Sequence, residues 1–194
     1  MASREITDED NTEALKSGVD LRMTVLARGA VAFIVHRSNP VSEVSVRELA
    51  LIFGGKYTNW KEVNGPELSI LVLIPPPDRA TGKVVAEMLK INFSSNALVV
   101  HDYLTTKKVM ERNSAAITFI RPGLASQGGV KPLAIRTDQG SAAVQLSPEN
   151  IRAGKYPFTR PLQLCYDGNK KTREAVIRLF IEFCVAKARE TPPD

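Results

Sequence analysis

The chain has 194 residues, of which 43% are hydrophobic and 24% are charged, and its 26 Lys and Arg against 21 Asp and Glu give a net charge of +5. This size and composition fit one large domain or two small lobes with a real hydrophobic core. No apolar run approaches the roughly 20 residues that cross a bilayer. The basic balance is compatible with anionic partners, but the scattered basic residues form no stripe of the kind that binds nucleic acid.

Two capped helices and a long β-rich run are predicted in the first third of the chain. Thr7, with Asp10 three positions later, predicts a short capped helix that ends near Gly18. Ser45 and Glu48 form a second capping box, which begins the helix "SVRELALIFGG". Between these helices lies "RMTVLARGAVAFIVH", whose continuous apolar segment predicts a strand that is covered on both faces.

Strands and helices alternate through the rest of the chain. "LSILVLI" predicts a buried strand and "ATGKVVAEMLKI" the helix after it, whereas "SPENIRAGKYPFTRP" reads as a loop with one helical turn. This alternation predicts an α/β fold with mostly parallel or mixed strands. Further predicted elements are helix "TTKKVMERN", strands "AAITFI", "VKPLAIRT" and "LQLCYD", and the terminal amphipathic helix "KKTREAVIRLFIEFCVAKARE".

Cys165 and Cys184 permit a disulfide, but two buried free thiols are the simpler expectation.

Three stretches of the sequence, in order, resemble one protein family. "NPVSEVSVRELALIFGGKYTNWKEVNG" (39–65) resembles the segment of phosphate-type periplasmic solute-binding proteins in which Asn-Pro precedes a helix and an Asn-Trp pair follows it. "ENIRAGKYPFTRPLQL" (149–164) is similar to the family's later Gly-Lys-Tyr-Pro segment. "SREITDED" (3–10) is similar to the run after the last ligand-lining strand of the family's first lobe.

The resemblance implies a type II periplasmic-binding-protein fold, with two α/β lobes that contain mixed sheets and enclose a ligand in the cleft between them. Residues 36–120 would form the second lobe, and residues 1–35 and 121–194 would form part of the first. The family's first lobe begins with further strand-helix units, which this sequence does not contain. Since such a lobe would expose strand edges and apolar faces, we expect a homodimer or an exchange of elements to cover them.

The resemblance also implies a function. The family binds phosphate or a related oxyanion by hinge closure, outside the cytoplasm, and delivers it to the permease of an ABC transporter. It implies neither a cofactor nor an enzymatic activity. No signal-peptide pattern occurs in "MASREITDED". The alternative is an interaction or sensory module that keeps the lobe architecture but has lost phosphate binding.

A candidate anion site lies in "ILVLIPPPDRATGK" (70–83), where a strand leads into a helix. A helix N-terminus offers unpaired N–H groups and the positive end of the helix dipole, so it can hold an oxyanion. By resemblance, the second lobe would contribute Arg79, Thr81, Gly82 and Lys83. In the structural alternative, Thr81 is an ordinary N-cap, and Arg79 and Lys83 are surface cations.

One residue that the family uses for this site is missing from the sequence. Relatives carry an arginine at or just after the strand that precedes the helix. Here that position falls on Ile74, Pro75 or Pro76, depending on the alignment, and none of these side chains can donate a hydrogen bond. We therefore expect Arg79 or Lys83 to replace this arginine if the site still binds an anion.

Other site chemistries find little support in the sequence. A P-loop is excluded because no glycine stands five residues before Gly82 and no Ser or Thr follows Lys83. His36 and His101 have no metal-like neighbours at helical spacing, so structural or surface roles are expected. No nucleophile elbow is present, which agrees with a protein that is not an enzyme.

Overall fold

The computed structural model describes residues 6–138, 140–169 and 174–190. Residues 3–5 of the "SREITDED" stretch lie outside the described residues. The strands are β1 (Leu21–Ala30), β2 (Ala32–His36), β3 (Glu43–Ser45), β4 (Leu71–Ile74), β5 (Leu98–Val99), β6 (Ala116–Ile120), β7 (Val130–Pro132), β8 (Ala134–Arg136) and β9 (Thr159–Asp167). The helices are α1 (Asp8–Lys16), α2 (Val46–Phe53), α3 (Ala80–Leu89), α4 (Tyr103–Arg112), α5 (Pro148–Arg152) and α6 (Glu174–Glu190), with 3-10 turns at Trp60–Val63 and Pro122–Leu124.

A mixed five-stranded sheet forms the centre of the described structure, with the strand order β5-β4-β6-β2-β7. Strand β4 runs parallel to both β5 and β6, whereas β2 runs antiparallel to β6 and β7. Two smaller sheets accompany it: β1 pairs with β9 antiparallel, and β3 pairs with β8 in parallel. The prediction of an α/β fold with mixed strands is therefore confirmed.

The central sheet is buried on both faces. Along β2, Phe33 and Val35 belong to one buried cluster, and the alternating residues Ala32 and Ile34 belong to another. Because successive side chains of a strand point to opposite faces, these clusters lie on the two sides of the sheet. Helices α2 and α3 contribute buried side chains to the first cluster, and Met110 of α4 contributes to the second. This arrangement confirms the predicted two-sided burial of the strand.

Aromatic side chains fill the first of these clusters. The ring of Phe33 lies 5.6 Å from that of Phe53, 6.0 Å from that of Phe119 and 4.6 Å from that of Phe158, measured between centroids. These residues come from β2, α2, β6 and the segment before β9, so the cluster joins distant parts of the chain. Full burial of each such side chain contributes about 1.5–3 kcal/mol to stability.

Both predicted capping boxes are present. The Thr7 backbone N–H donates to Asp10 Oδ2 at 2.8 Å, and the Asp10 N–H donates to Thr7 Oγ1 at 3.3 Å. At α2, the Ser45 N–H donates to Glu48 Oε2 at 2.6 Å, and the Glu48 N–H donates to Ser45 Oγ at 3.1 Å. Each box satisfies N–H groups that the first helical turn leaves unpaired.

The predicted lobe boundaries at residues 35/36 and 120/121 stay a prediction. Strands β2 and β7 lie mostly in the segments assigned to the first lobe, yet both pair within the same five-stranded sheet as β4 and β6. The antiparallel β1–β9 ribbon joins the two assigned first-lobe segments, with Leu21 opposite Asp167.

Cys165 and Cys184 are free thiols, and both are half-buried.

Helix α6 carries an exposed apolar stripe. Its inner side packs near β1, but Val176 is 68% exposed, Leu179 64%, Phe180 54% and Phe183 60%. These four positions follow the i, i+3, i+4, i+7 spacing of one helix face. In the described ranges, no helix is long and apolar enough to cross a membrane.

Candidate functional site

The carboxyl ends of β5, β4 and β6 meet at one edge of the central sheet. The pairing of Val72 with Ile117 and of Ile74 with Val99 sets these three parallel strands in register. An open groove of about 340 Å³ lies at this edge, and open α/β sheets bind ligands at such edges. The groove is lined by Pro75, Pro76, Arg79, Thr81, Val100, His101, Asp102, Tyr103, Thr106, Thr118, Phe119, Ile120, Arg121 and Leu124.

Helix α3 begins at the groove without a side-chain cap. The Arg79 N–H donates to the Pro76 carbonyl at 2.9 Å, which closes a turn after the proline run. Arg79 is the N-cap residue, but its side chain makes no capping hydrogen bond, so the N–H groups of Ala80, Thr81 and Gly82 receive no acceptor from it. The positive end of the α3 dipole is therefore open at the edge of the groove.

The interpretation of Thr81 as an N-cap is wrong. Arg79 has the extended backbone of a capping residue, with φ −67° and ψ 142°, and Thr81 lies inside the first helical turn. The physical reason is the turn between Pro76 and Arg79, which reverses the chain early enough for the helix to begin at Ala80.

The structure separates the four predicted anion-binding residues into two pairs. Arg79 and Thr81 line the groove, whereas Gly82 and Lys83 are not among its lining residues. Gly82 is buried against the proline turn, and a Cβ at this position would lie 3.3 Å from the Pro76 carbonyl oxygen. Lys83 is exposed, and its N–H forms the first helical hydrogen bond to the Arg79 carbonyl at 3.0 Å. The binding role of all four residues stays a prediction.

Polar residues that follow the neighbouring strands also line the groove, and they were not predicted as site residues from the sequence. Arg121 follows β6 directly, and His101 and Asp102 follow β5. The available signal was the position of these polar residues at strand ends, since carboxyl ends of parallel strands share one edge. Their proximity to α3 depends on the pairing of β4 with β5 and β6, which hydrophobic periodicity does not reveal.

Two polar groups of the groove are already hydrogen-bonded within the protein. The Thr118 hydroxyl is buried and donates to the Leu73 carbonyl at 3.0 Å. Asp102 caps α4, where its carboxylate accepts from the Thr105 N–H and the Thr105 hydroxyl, both at 2.8 Å. These hydrogen bonds lower the pKa of Asp102, with a smaller contribution from the charge of Lys108.

The polar inventory of the groove suits an oxyanion. Two arginines, Arg79 and Arg121, and one carboxylate, that of Asp102, line the groove. Arginine forks and helix N-terminal amides both bind tetrahedral oxyanions. Within the part of the chain that the structure describes, no group of three or more His, Cys, Asp or Glu side chains is placed to hold a metal ion.

Comparison with known proteins gives relatives that cover this chain almost completely. Protein SphX of Synechococcus elongatus is 29% identical over 200 residues, which cover 96% of this chain and 58% of the relative. The phosphate-binding protein PstS of Staphylococcus haemolyticus is 24% identical and covers 100% of this chain and 62% of its own length. The chain thus spans about three fifths of the length of these curated relatives.

Solved structures confirm the type II periplasmic-binding-protein fold. An ABC-type phosphate transport receptor from Vibrio cholerae superimposes with a TM-score of 0.76 at 22% identity, over 97% of this chain and 74% of the receptor chain. PstS from Borrelia burgdorferi superimposes with a TM-score of 0.78 at 22% identity, over 94% of this chain and 70% of its own.

A family model also matches almost the whole chain. The model of the PBP superfamily domain matches residues 1–188. Together with the relatives above, this match confirms the resemblance to phosphate-type solute-binding proteins. The chain therefore belongs to the PBP superfamily.

Proposed function

We propose that this chain is part of a receptor that binds inorganic phosphate or a related oxyanion for ABC-type uptake. The observation that carries the proposal is the groove at the sheet edge, which is lined by an uncapped helix start and by two arginines. The family match and the names of the phosphate-binding relatives support the same ligand class.

The groove has the donors that a phosphate dianion requires. The first-turn N–H groups of α3 would each donate to a phosphate oxygen, and the Thr81 hydroxyl would add a further donor. The Arg79 guanidinium would supply charge and a planar pair of N–H groups. The turn Pro75–Pro77 holds these groups in place because proline restricts the backbone that leads into the helix.

The mechanism that we propose is binding and release without chemistry. A groove that is open on one side becomes a closed site when a second wall moves over the ligand, as in hinge closure of two lobes. The closed form would then dock on an ABC permease on the extracytoplasmic side of the membrane. This assignment to transport, rather than to catalysis, rests on the relatives named as phosphate-binding proteins and transport receptors.

Titration of the purified chain with phosphate, followed by calorimetry and by the melting temperature, tests the proposal. A ligand that binds the folded state raises the melting temperature by an amount that grows with its concentration. We expect phosphate to raise it and chloride at equal ionic strength to leave it unchanged. No heat and no shift at millimolar phosphate would favour the alternative, an interaction or sensory module that has lost phosphate binding.

A further inference from the structure

Strand β4 ends without the arginine that the resemblance places there, because Ile74, Pro75 and Pro76 occupy the possible positions. The neighbouring strand β6 ends differently. It is followed at once by Arg121, which lines the same groove as Pro75 and Pro76. Arg121 can replace the arginine that is missing from the end of β4 only if it lies close to that strand end.

The register of β4 and β6 indicates which residue after β4 lies beside Arg121. Strands β4 and β6 are parallel, with Leu71 beside Ala116 and Val72 beside Ile117. The hydrogen bond from the Thr118 hydroxyl to the Leu73 carbonyl continues the same offset one residue further. Continued two residues past the end of β4, the same offset would place residue 121 level with residue 76. Since adjacent strands lie about 4.8 Å apart, an arginine side chain is long enough to bridge that spacing.

The Arg121 side chain is exposed at the groove and has no internal role in the described structure. It is the N-cap residue of the 3-10 turn Pro122–Leu124, yet it makes no capping hydrogen bond. Within the described residues, its guanidinium makes no hydrogen bond or ion pair. The nearby Asp102 carboxylate is held by Thr105 at the start of α4. The donors of Arg121 are therefore available for a ligand.

We propose that Arg121 is the principal charge partner of the oxyanion, supplied by β6 in place of the strand-end arginine that β4 lacks. This inference rests on the proposed function. An anion held by the first turn of α3 would have Arg79 on the helix side and Arg121 on the sheet side. Two arginines from different elements would enclose the oxyanion, and each fork can donate two hydrogen bonds to it.

The test is calorimetric titration of the whole chain with inorganic phosphate in the variants Arg121→Ala, Arg121→Lys and Arg112→Ala. Arg112 is the matched control, since it is exposed at the far end of α4 and does not line the groove. We expect Arg121→Ala to weaken phosphate binding about tenfold or more. Arg121→Lys should lose part of the affinity, because an ammonium group lacks the bidentate fork. Arg112→Ala should bind within about twofold of the unsubstituted chain.

The outcomes separate this inference from the function on which it rests. If the unsubstituted chain binds phosphate and Arg121→Ala binds as well as Arg112→Ala, the role of Arg121 is refuted while the proposed function stands. If the unsubstituted chain binds no phosphate, both are refuted. Melting temperatures of the ligand-free variants check folding, and we expect them to match because the exposed Arg121 side chain makes no capping hydrogen bond that its loss would remove.

Discussion

Asp102 caps α4 with two hydrogen bonds from Thr105, one from the backbone N–H and one from the hydroxyl, each 2.8 Å long. Helix α3 begins at the same groove, and its N-cap residue Arg79 contributes no such bond. One of the two helix starts is therefore closed by a carboxylate of the protein, and the other is open to an external anion. In the proposed function, this difference would direct an oxyanion to α3 rather than to α4.

The first prediction concerns the cap at Asp102. Asp102→Ala should lower the melting temperature, and Asp102→Ser should retain most of it, because serine still accepts a hydrogen bond from the first turn. The pKa of Asp102 is lowered in the folded state, so the ionised carboxylate stabilises the fold at neutral pH. That stabilisation should be lost as the pH falls through the folded-state pKa, below about pH 4. Equal melting temperatures for all three chains would contradict the capping role.

The second prediction concerns the charge of the same residue. Asp102→Ser removes the carboxylate that lines the same groove as Arg79 and Arg121, while it keeps a capping oxygen. We expect this variant to bind phosphate a few-fold more tightly at low ionic strength, and the gain should shrink with added salt. Titrations at two chloride concentrations measure both effects. A loss of affinity would mean that Asp102 itself contacts the ligand.

The third prediction separates the residues of the helix start. Arg79→Ala should weaken phosphate binding by about fivefold or more, since Arg79 lines the groove. Lys83→Ala should bind within about twofold of the unsubstituted chain, because an exposed lysine outside the groove acts only through screened charge. Both variants remove one positive charge, so each controls for the other. Equal losses would show that net charge, rather than position, determines affinity.

The fourth prediction concerns Trp60, which is fully buried and donates from Nε1 to the Ala115 carbonyl at 2.9 Å. This bond fixes the loop after α2 to the residue that precedes β6. Trp60→Phe should lower the free energy of unfolding by about 0.5–1.5 kcal/mol, because it removes one buried hydrogen bond while the Ala115 carbonyl still accepts from the Leu71 N–H at 3.1 Å. Urea denaturation monitored by circular dichroism measures the change. An unchanged midpoint would contradict a structural role for this hydrogen bond.

The fifth prediction concerns self-association of the chain, as a homodimer or through an exchange of elements, which is expected from its sequence. The exposed apolar stripe of α6, formed by Val176, Leu179, Phe180 and Phe183, is the surface that a second copy would cover. Sedimentation at micromolar concentration should give twice the mass of the chain, and the double variant Phe180→Glu, Phe183→Glu should sediment as a single chain. A monomer before substitution would refute self-association through this face.

Features that depend on neighbouring residues could be predicted from the sequence. The capping boxes of Thr7 with Asp10 and of Ser45 with Glu48 are local patterns, and both are present. The two-sided burial of β2 followed from its continuous apolar residues. The alternative in which Thr81 caps α3 is wrong, because the turn that Pro76 and Arg79 form cannot be recognised from residue preference alone.

Features that depend on distant pairing could not be predicted. The β1–β9 ribbon joins residues that are far apart in the chain, such as Leu21 and Asp167. The contribution of Arg121 to the groove likewise depends on β6 lying beside β4. The family resemblance located the helix start, but it describes an arginine on β4, whereas this chain offers one from the adjacent strand.

Calorimetric titration of the 194-residue chain with inorganic phosphate tests the central claim most directly. We expect a saturable heat of binding that an equal concentration of chloride does not reduce. Arg79→Ala and Arg121→Ala should each weaken the binding. An absence of heat at millimolar phosphate, together with an unchanged melting temperature, would contradict the proposal that this groove binds an oxyanion.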